Sequence, residues 1–264
     1  MADCKLQNSE NQSLRVRIAA NAADIAAVQR LRWQVFYDEM GAKPAADSVA
    51  GLDCDIFDSI SDHLLVIDDS RPERDSVVGT YRLLRGDIAA AHGGFYSEAE
   101  FDLSAVAGFE RRGGGGLLEL GRSCVLPPYR NGATIALLWR GIADYLLEHD
   151  IGLMIGCGSF PGIDSDAHAI ALSYLHHHHL APREIRPFAR PGDHVAMDRH
   201  PIGSYDRRAA LQALPPLLKA YLRVGAMVGE GAFVDLQFNT VDVCIVMPVE
   251  HISQRYATRF SAAA

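Results

Sequence analysis

Apolar residues at Ile25, Val28, Leu31, Val35 and Phe36 recur at the three-and-four spacing of an amphipathic helix over residues 22–40, with Asn21 placed to cap it. Residues 41–61 break that pattern with acidic side chains, Gly and Pro. Two short β-rich runs follow at 63–67 and 76–84 and predict a hairpin. The glycine run at 113–116 has no propensity for order, and beyond it residues 117–126 read as a strand that Pro127 and Pro128 stop. A turn at 129–132, a helix over 133–149, a short buried strand at 151–157 and a helix over 164–178 come next. Residues 180–230, rich in Pro, Arg and Gly, contain one amphipathic helix at 211–224, and strands at 231–238 and 241–249 meet in a hairpin at Asn239-Thr240. The order is mixed α/β: one domain over residues 1–264, with 180–230 as an inserted Pro/Arg-rich helical segment. A βαβ step lies at its centre, where a site is expected.

With 264 residues, 48% of them apolar, the chain is long enough to bury a sizeable core. Its opening stretch, MADCKLQNSENQS, is polar rather than basic and then apolar, which predicts no signal peptide. The five cysteines are odd in number and lack a C-x-x-C pair, so neither a disulfide framework nor a zinc site is expected, and a cytoplasmic setting fits. No run approaches the ~20 apolar residues of a membrane span, so contact with the inner membrane would be peripheral. The net charge of −8 is uneven, because residues 181–223 gather Arg183, Arg186, Arg190, Arg199, Arg207, Arg208, Lys219 and Arg223. A basic face on an acidic protein argues against general nucleic-acid binding and suits a local acidic partner, either a carrier protein or an anionic bilayer; a solvated face without a partner fits equally.

Candidate chemistry concentrates around the central strand. Glu119 and Arg122 sit among apolar residues, where charge is costly unless paired, so a structural salt bridge and a catalytic role both remain open. Asp53, Asp55 and Asp58 share one loop, suited to an ammonium group or a metal unless merely solvated. The turn Arg130-Asn131-Gly132-Ala133 opens a helix whose N-terminus favours an anion, but it lacks the glycine pattern of a dinucleotide or P-loop site. The histidines at 176–179 end a helix without ligand spacing, so no metal is expected there. Cys157 reads as a core residue at a strand end, and Ser159 lacks the G-x-S-x-G elbow of a serine hydrolase.

Taken together, Arg32 and Phe36 on the first helix, the Asp53/Asp55/Asp58 loop, Arg82 in Gly79-Thr80-Tyr81-Arg82-Leu83-Leu84, and Glu119-Leu120-Gly121-Arg122 resemble the pattern of the acyl-homoserine-lactone synthases, with Asp53 where that family usually has Glu. Beyond residue 125 the chain resembles the ornithine N-acyltransferases of ornithine lipid synthesis. That likeness rests on Tyr129-Arg130, Leu138-Trp139-Arg140-Gly141-Ile142, Gly156-Cys157-Gly158-Ser159-Phe160, Leu175-His176-His177, Leu214 to Arg223 and Phe238 to Cys244. The resemblance spans nearly the whole chain. It implies the acetyltransferase-like (GNAT) fold, a mostly antiparallel central sheet flanked by helices with a carboxyl-terminal insertion.

The resemblance implies a bacterial enzyme that moves a 3-hydroxyacyl group from acyl carrier protein to the α-amine of ornithine, giving lyso-ornithine lipid, without metal or cofactor. On that footing Glu119 is expected as general base, backbone N–H groups near Cys124 and Val125 as oxyanion donors, and Arg130 with Gly132 as the pantetheine contact. Arg82 and Arg122 are expected on the acceptor carboxylate beside Arg32, the Asp53/Asp55/Asp58 loop on its ammonium, and Tyr174 as the group that protonates the thiol. The alternatives are an acyl-homoserine-lactone synthase acting on S-adenosylmethionine and a non-catalytic module that binds carrier protein or membrane.

Overall fold

The computed structural model of the chain describes residues 14–252 apart from 47 and 112; the polar opening stretch with Cys4 lies outside the described residues. Ten strands form one continuous sheet: β1 (Leu14–Ile18), β2 (Asp62–Asp68), β3 (Val77–Arg85), β4 (Phe101–Asp102), β5 (Gly116–Val125), β6 (Ile151–Pro161), β7 (Phe188–Ala189), β8 (His194–Val195), β9 (Met227–Asp235) and β10 (Thr240–Pro248). Their spatial order is β1-β2-β3-β5-β6-β10-β9-β7-β4, with β8 attached to β9. Pairings are antiparallel except β5 with β6 and β7 with β9. The parallel pair is bridged by α4 (Gly132–Glu148), the crossover that parallel strands require.

Helix α1 (Ala22–Trp33) is capped as expected, the Asn21 side chain accepting from the Asp24 N–H, but it passes into a π-helical turn, Gln34–Glu39. In that turn Phe36 meets Phe238 edge to face at 5.8 Å. Two short helices, α2 (Gly86–Ala91) and α3 (Ser104–Arg111), flank a segment leading into β4. Helix α5 (Ala169–His179) begins later than the sequence suggests. The single helix expected at 211–224 is two, α6 (Arg207–Ala213) and α7 (Pro216–Arg223), because Pro215 supplies no N–H and holds the preceding Leu214 extended at ψ 140°. Segment 180–230 also contributes β7, β8 and the first residues of β9.

Two consequences of the sheet position the site. First, β5 and β6 pair only from Gly116↔Ile151 to Glu119↔Ile155, although β5 continues to Val125 and β6 to Pro161, so the strands splay beyond Glu119. At the fork the Leu120 carbonyl oxygen would collide with a side-chain carbon on residue 156, so only glycine fits there. Second, the register places Arg82, Glu119, Ile155, Cys157, Ser159 and Asp242 on one face of the sheet. That face closes over a smaller core of Phe101, Leu103, Val106, Leu117, Leu153 and Val246. Leu118, Leu120, Met154 and Ile245 belong to the larger core with residues of α4, α5 and α7.

Candidate active site

β5 carries Glu119 into this face and then bulges between its pairings with Thr80 and Arg82 of β3. Within the bulge Arg122 takes φ 50°, a left-handed conformation that a long side chain adopts only under the constraint of its surroundings. The bulge turns its guanidinium toward the loop of residues 53–58. There Arg122 Nε donates to Asp53 Oδ2 at 3.1 Å and Nη2 to Asp55 Oδ2 at 3.0 Å, while the group lies 4.5 Å above the rings of both Tyr96 and Phe238. Arg32, fully buried, donates from Nε to Asp53 Oδ2 at 2.7 Å and from Nη1 and Nη2 to the two Asp58 oxygens, each at 2.9 Å. Arg82 Nη1 donates to Asp55 Oδ1 at 2.6 Å and to Asp58 Oδ1 at 3.1 Å.

The three arginines and three aspartates thus form one buried lattice of equal and opposite charge. Its strength shows in Asp58, whose carboxyl is driven far below the usual range: burial opposes ionisation, and Arg32 with help from Gln29 and Arg82 outweighs it. The aspartate loop, expected to receive an ammonium, is therefore occupied by arginine. One donor is left over: Arg82 Nη2 is buried without a hydrogen-bond partner. An unpaired buried guanidinium N–H costs free energy that a substrate carboxylate would recover.

Glu119, 3% exposed, lies beside this lattice. Oε2 accepts from the Tyr96 N–H at 3.0 Å, and Oε1 accepts from the Ser97 N–H at 2.7 Å and from the Ser97 hydroxyl. Burial raises its pKa, and the Ser97 hydroxyl and N–H, Arg82 and the Tyr96 N–H pull against that rise. A carboxylate offers about four lone pairs, so one remains for a proton. From Ser97 the contacts continue: its hydroxyl is 3.6 Å from Cys157 Sγ, which is 3.5 Å from Glu100 Oε2. Cys157 is no strand-end core residue but sits in mid-strand facing this chain of groups, its thiol pushed far up by burial and by the neighbouring Glu100 and Asp242. Glu100 and Asp242 were not anticipated from the sequence. Glu100 falls in a stretch without readable periodicity, and Asp242 was the one charge in the apolar run 241–247, the available signal.

At the fork, Leu120, Ile245, Met247 and Tyr221 of the larger core and Ile155 and Cys157 of the Glu119 face line a slot of about 10 Å³. The Tyr221 hydroxyl is 3.0 Å from that of Tyr81, and burial keeps it protonated far above neutral pH. Tyr174, expected to protonate the thiol, is not brought to the fork: it packs in the larger core under the Arg207 guanidinium, its hydroxyl 3.3 Å from His179 Nε2. Cys124 and Val125 are buried and pair with Thr80 and Gly79 of β3, leaving their other edge toward the fork. Burial raises the Cys124 thiol to about 12, so it is no nucleophile. Arg130 donates to the Val125 carbonyl at 2.9 Å and is paired with Glu39 at 2.6 Å. Gly132, exposed, begins α4, whose Ala133 and Thr134 N–H groups are already capped by Asn131.

The fork, the buried Glu119 and the arginine lattice suit acyl transfer to an amine, and the comparisons agree. Residues 31–140, which carry all of the lattice and Glu119, match the acetyltransferase (GNAT) domain. The structure of FeeM, an N-acyl amino acid synthase from uncultured soil microbes, superposes with TM-score 0.51 at 11% identity over 92% of this chain and 94% of that one, a likeness of fold. The L-ornithine N(alpha)-acyltransferase of Rhodobacter capsulatus is 49% identical over 92% of this chain and 93% of its own length. That of Agrobacterium fabrum is 46% identical over 96% and 86%. At such identity across nearly its full length, the chain belongs to the L-ornithine N(alpha)-acyltransferase family and is an N-acyltransferase of GNAT fold.

Proposed function

We propose that this enzyme transfers a 3-hydroxyacyl group from the thioester of acyl carrier protein to the α-amine of ornithine, forming lyso-ornithine lipid. The observation that carries the acceptor is the 46–49% identity to relatives named for ornithine Nα-acylation. The donor is supported by the splayed β5/β6 fork, which leaves backbone edges free for a pantetheine arm, and by the basic face. In the reaction the α-ammonium gives a proton to Glu119, directly or through a water, and the amine lone pair attacks the thioester carbon. Backbone N–H groups on the free edge near Cys124 and Val125 hold the oxyanion. As the C–S bond breaks the nitrogen gives its second proton to water, leaving the neutral amide, and the sulfur takes a proton from Tyr221, which lines the slot as Tyr174 does not. Arg82 and Arg122 receive the acceptor carboxylate, Arg82 through its unpartnered Nη2.

Exposed Arg207 and Arg208 begin α6 and offer an acidic carrier protein a docking face, with Arg130 and Gly132 at the pantetheine entrance. No helix among the described residues is long and apolar enough to cross a membrane, and contact with the inner membrane from the cytoplasm would be at its surface. The test is to incubate the purified enzyme with 3-hydroxyacyl carrier protein and, separately, ornithine, lysine, glycine and S-adenosylmethionine, then weigh the products. Acyl-ornithine as the principal product is expected. An acyl-homoserine lactone, or no acylated amine at all, would overturn the reading.

A further inference from the structure

The acceptor has a second ammonium, and the loop of Asp53, Asp55 and Asp58 cannot hold it, because three arginines already satisfy that loop. Two buried carboxyl groups without a basic partner lie instead on the far side of Glu119. Glu100, entering from the segment before β4, and Asp242 on β10 bring carboxylate oxygens and Cys157 Sγ within 4.8 Å of one another. The two residues are 6% and 4% exposed. No Lys or Arg forms an ion pair with either among the described residues, and Arg122, which draws weakly on both, forms its ion pairs with Asp53 and Asp55. Asp242 Oδ1 is buried without a hydrogen bond of normal length, and so is Thr240 Oγ1, two residues earlier on the same strand face; the Ser159 and Thr240 hydroxyls draw the Asp242 pKa down but leave it incompletely paired. Leaving carboxylate and hydroxyl oxygens dry and unpaired is expensive, and a cationic N–H donor removes that cost.

We propose that Glu100 and Asp242, with Thr240, form the cradle for the side-chain ammonium of the amino-acid acceptor, and so select a diamino acid over an apolar one. The inference rests on the acceptor reading given above. Its geometry follows from the sheet: Arg82 on β3, Glu119 on β5, Cys157 on β6 and Asp242 on β10 occupy successive strands on one face. An amino acid bound with its carboxylate at Arg82 and its α-amine at Glu119 extends its side chain toward Asp242. Asp242 lies two strands across from Glu119 and, being paired with Ser159 where Glu119 is paired with Ile155, four residues further along, so the long side chains of Glu119 and Glu100 close the gap through Ser97 and Cys157. An ammonium offers three N–H donors, matching Glu100, Asp242 Oδ1 and Thr240 Oγ1. The electrostatics agree: burial, and after it the neighbouring carboxylates including Asp235, raise both carboxyls, outweighing the Ser159 and Thr240 hydroxyls at Asp242, and a bound ammonium would favour the ionised forms.

The test compares ornithine with norvaline, which has the same carbon chain but no second amine, in the wild type, Glu100→Gln and Asp242→Asn, by calorimetric binding and by steady-state acylation. Each variant's norvaline activity reports whether its active site has folded. The cradle predicts that wild type prefers ornithine and that either substitution lowers the ornithine-to-norvaline ratio of kcat/KM at least tenfold, mainly through KM. An unchanged ratio in both variants overturns it, as does a wild type that acylates both amino acids equally well, and neither result touches acyl transfer itself. A wild type that binds ornithine over norvaline yet forms no acyl-ornithine keeps the cradle and removes the acyl-transfer reading.

Discussion

On one side of Glu119 three guanidinium groups meet three carboxylates, and on the other two carboxylates meet a thiol. Both clusters are buried, both draw residues from distant parts of the chain, and both flank the same glutamate. The first is balanced and nearly saturated with hydrogen bonds, as a scaffold that fixes the 53–58 loop against β3 and β5 must be. The second has no basic partner and raises the pKa of both its carboxyls, which a scaffold has no reason to do. Compensated buried charge holds structure, and buried carboxyl groups without a basic partner favour a cationic ligand.

The comparison breaks most visibly at Arg32. Replacing it with Met strands Asp53 and Asp58 without their main partner, so destabilisation of about 3–5 kcal/mol is expected, read as a fall in melting temperature of about 10 °C or more. A shift of only a degree or two would mean that the lattice is not the scaffold described. Next in size is Glu119→Gln, expected to lose roughly 10²-fold in turnover while the melting temperature stays near that of wild type. Near-normal turnover would assign Glu119 to holding Tyr96 and Ser97 instead.

The unbalanced cluster predicts the opposite sign on stability. Glu100 and Asp242 have folded pKa values above their unfolded ones, so between those values the native state binds more protons and stability falls as pH rises. Asp242→Asn, which cannot ionise, should therefore be more stable than wild type near pH 8 by about 1 kcal/mol or a few °C, an advantage fading toward pH 4. Thermal melts across pH would read it, and a variant less stable at every pH would show that the carboxylate serves the fold. Smallest is the effect of reversing Arg207 and Arg208 to Glu: KM for acyl carrier protein should rise about tenfold at low salt, with slow turnover of acyl-CoA little altered. Equal losses with both donors would remove the docking face.

The legible parts of the fold were those with local periodicity. The β2/β3 hairpin, α1, α4 and the βαβ step that follows Glu119 are legible from alternation, helical spacing and the Pro127-Pro128 stop. β1 was missed although Leu14, Val16 and Ile18 alternate, because its partner β2 is nearly fifty residues away and its arginines read as surface. The lattice was readable as residue types, but which charges pair depends on the Arg122 bulge, a backbone feature with no sequence signature. Glu100 and Cys157 meet only because β4 joins the far edge of the sheet through β7, a long-range contact that no window contains.

The central claim is that the acceptor lies across Glu119 with its carboxylate on the arginine side and its second ammonium on the carboxylate side, which presents one amine and not the other to the thioester. Tandem mass spectrometry of the product from ornithine and 3-hydroxyacyl carrier protein locates the amide bond directly. Acylation of the α-amine, with the side-chain amine free, is the predicted result; an amide on the side-chain nitrogen would place the acceptor the other way round and contradict the account.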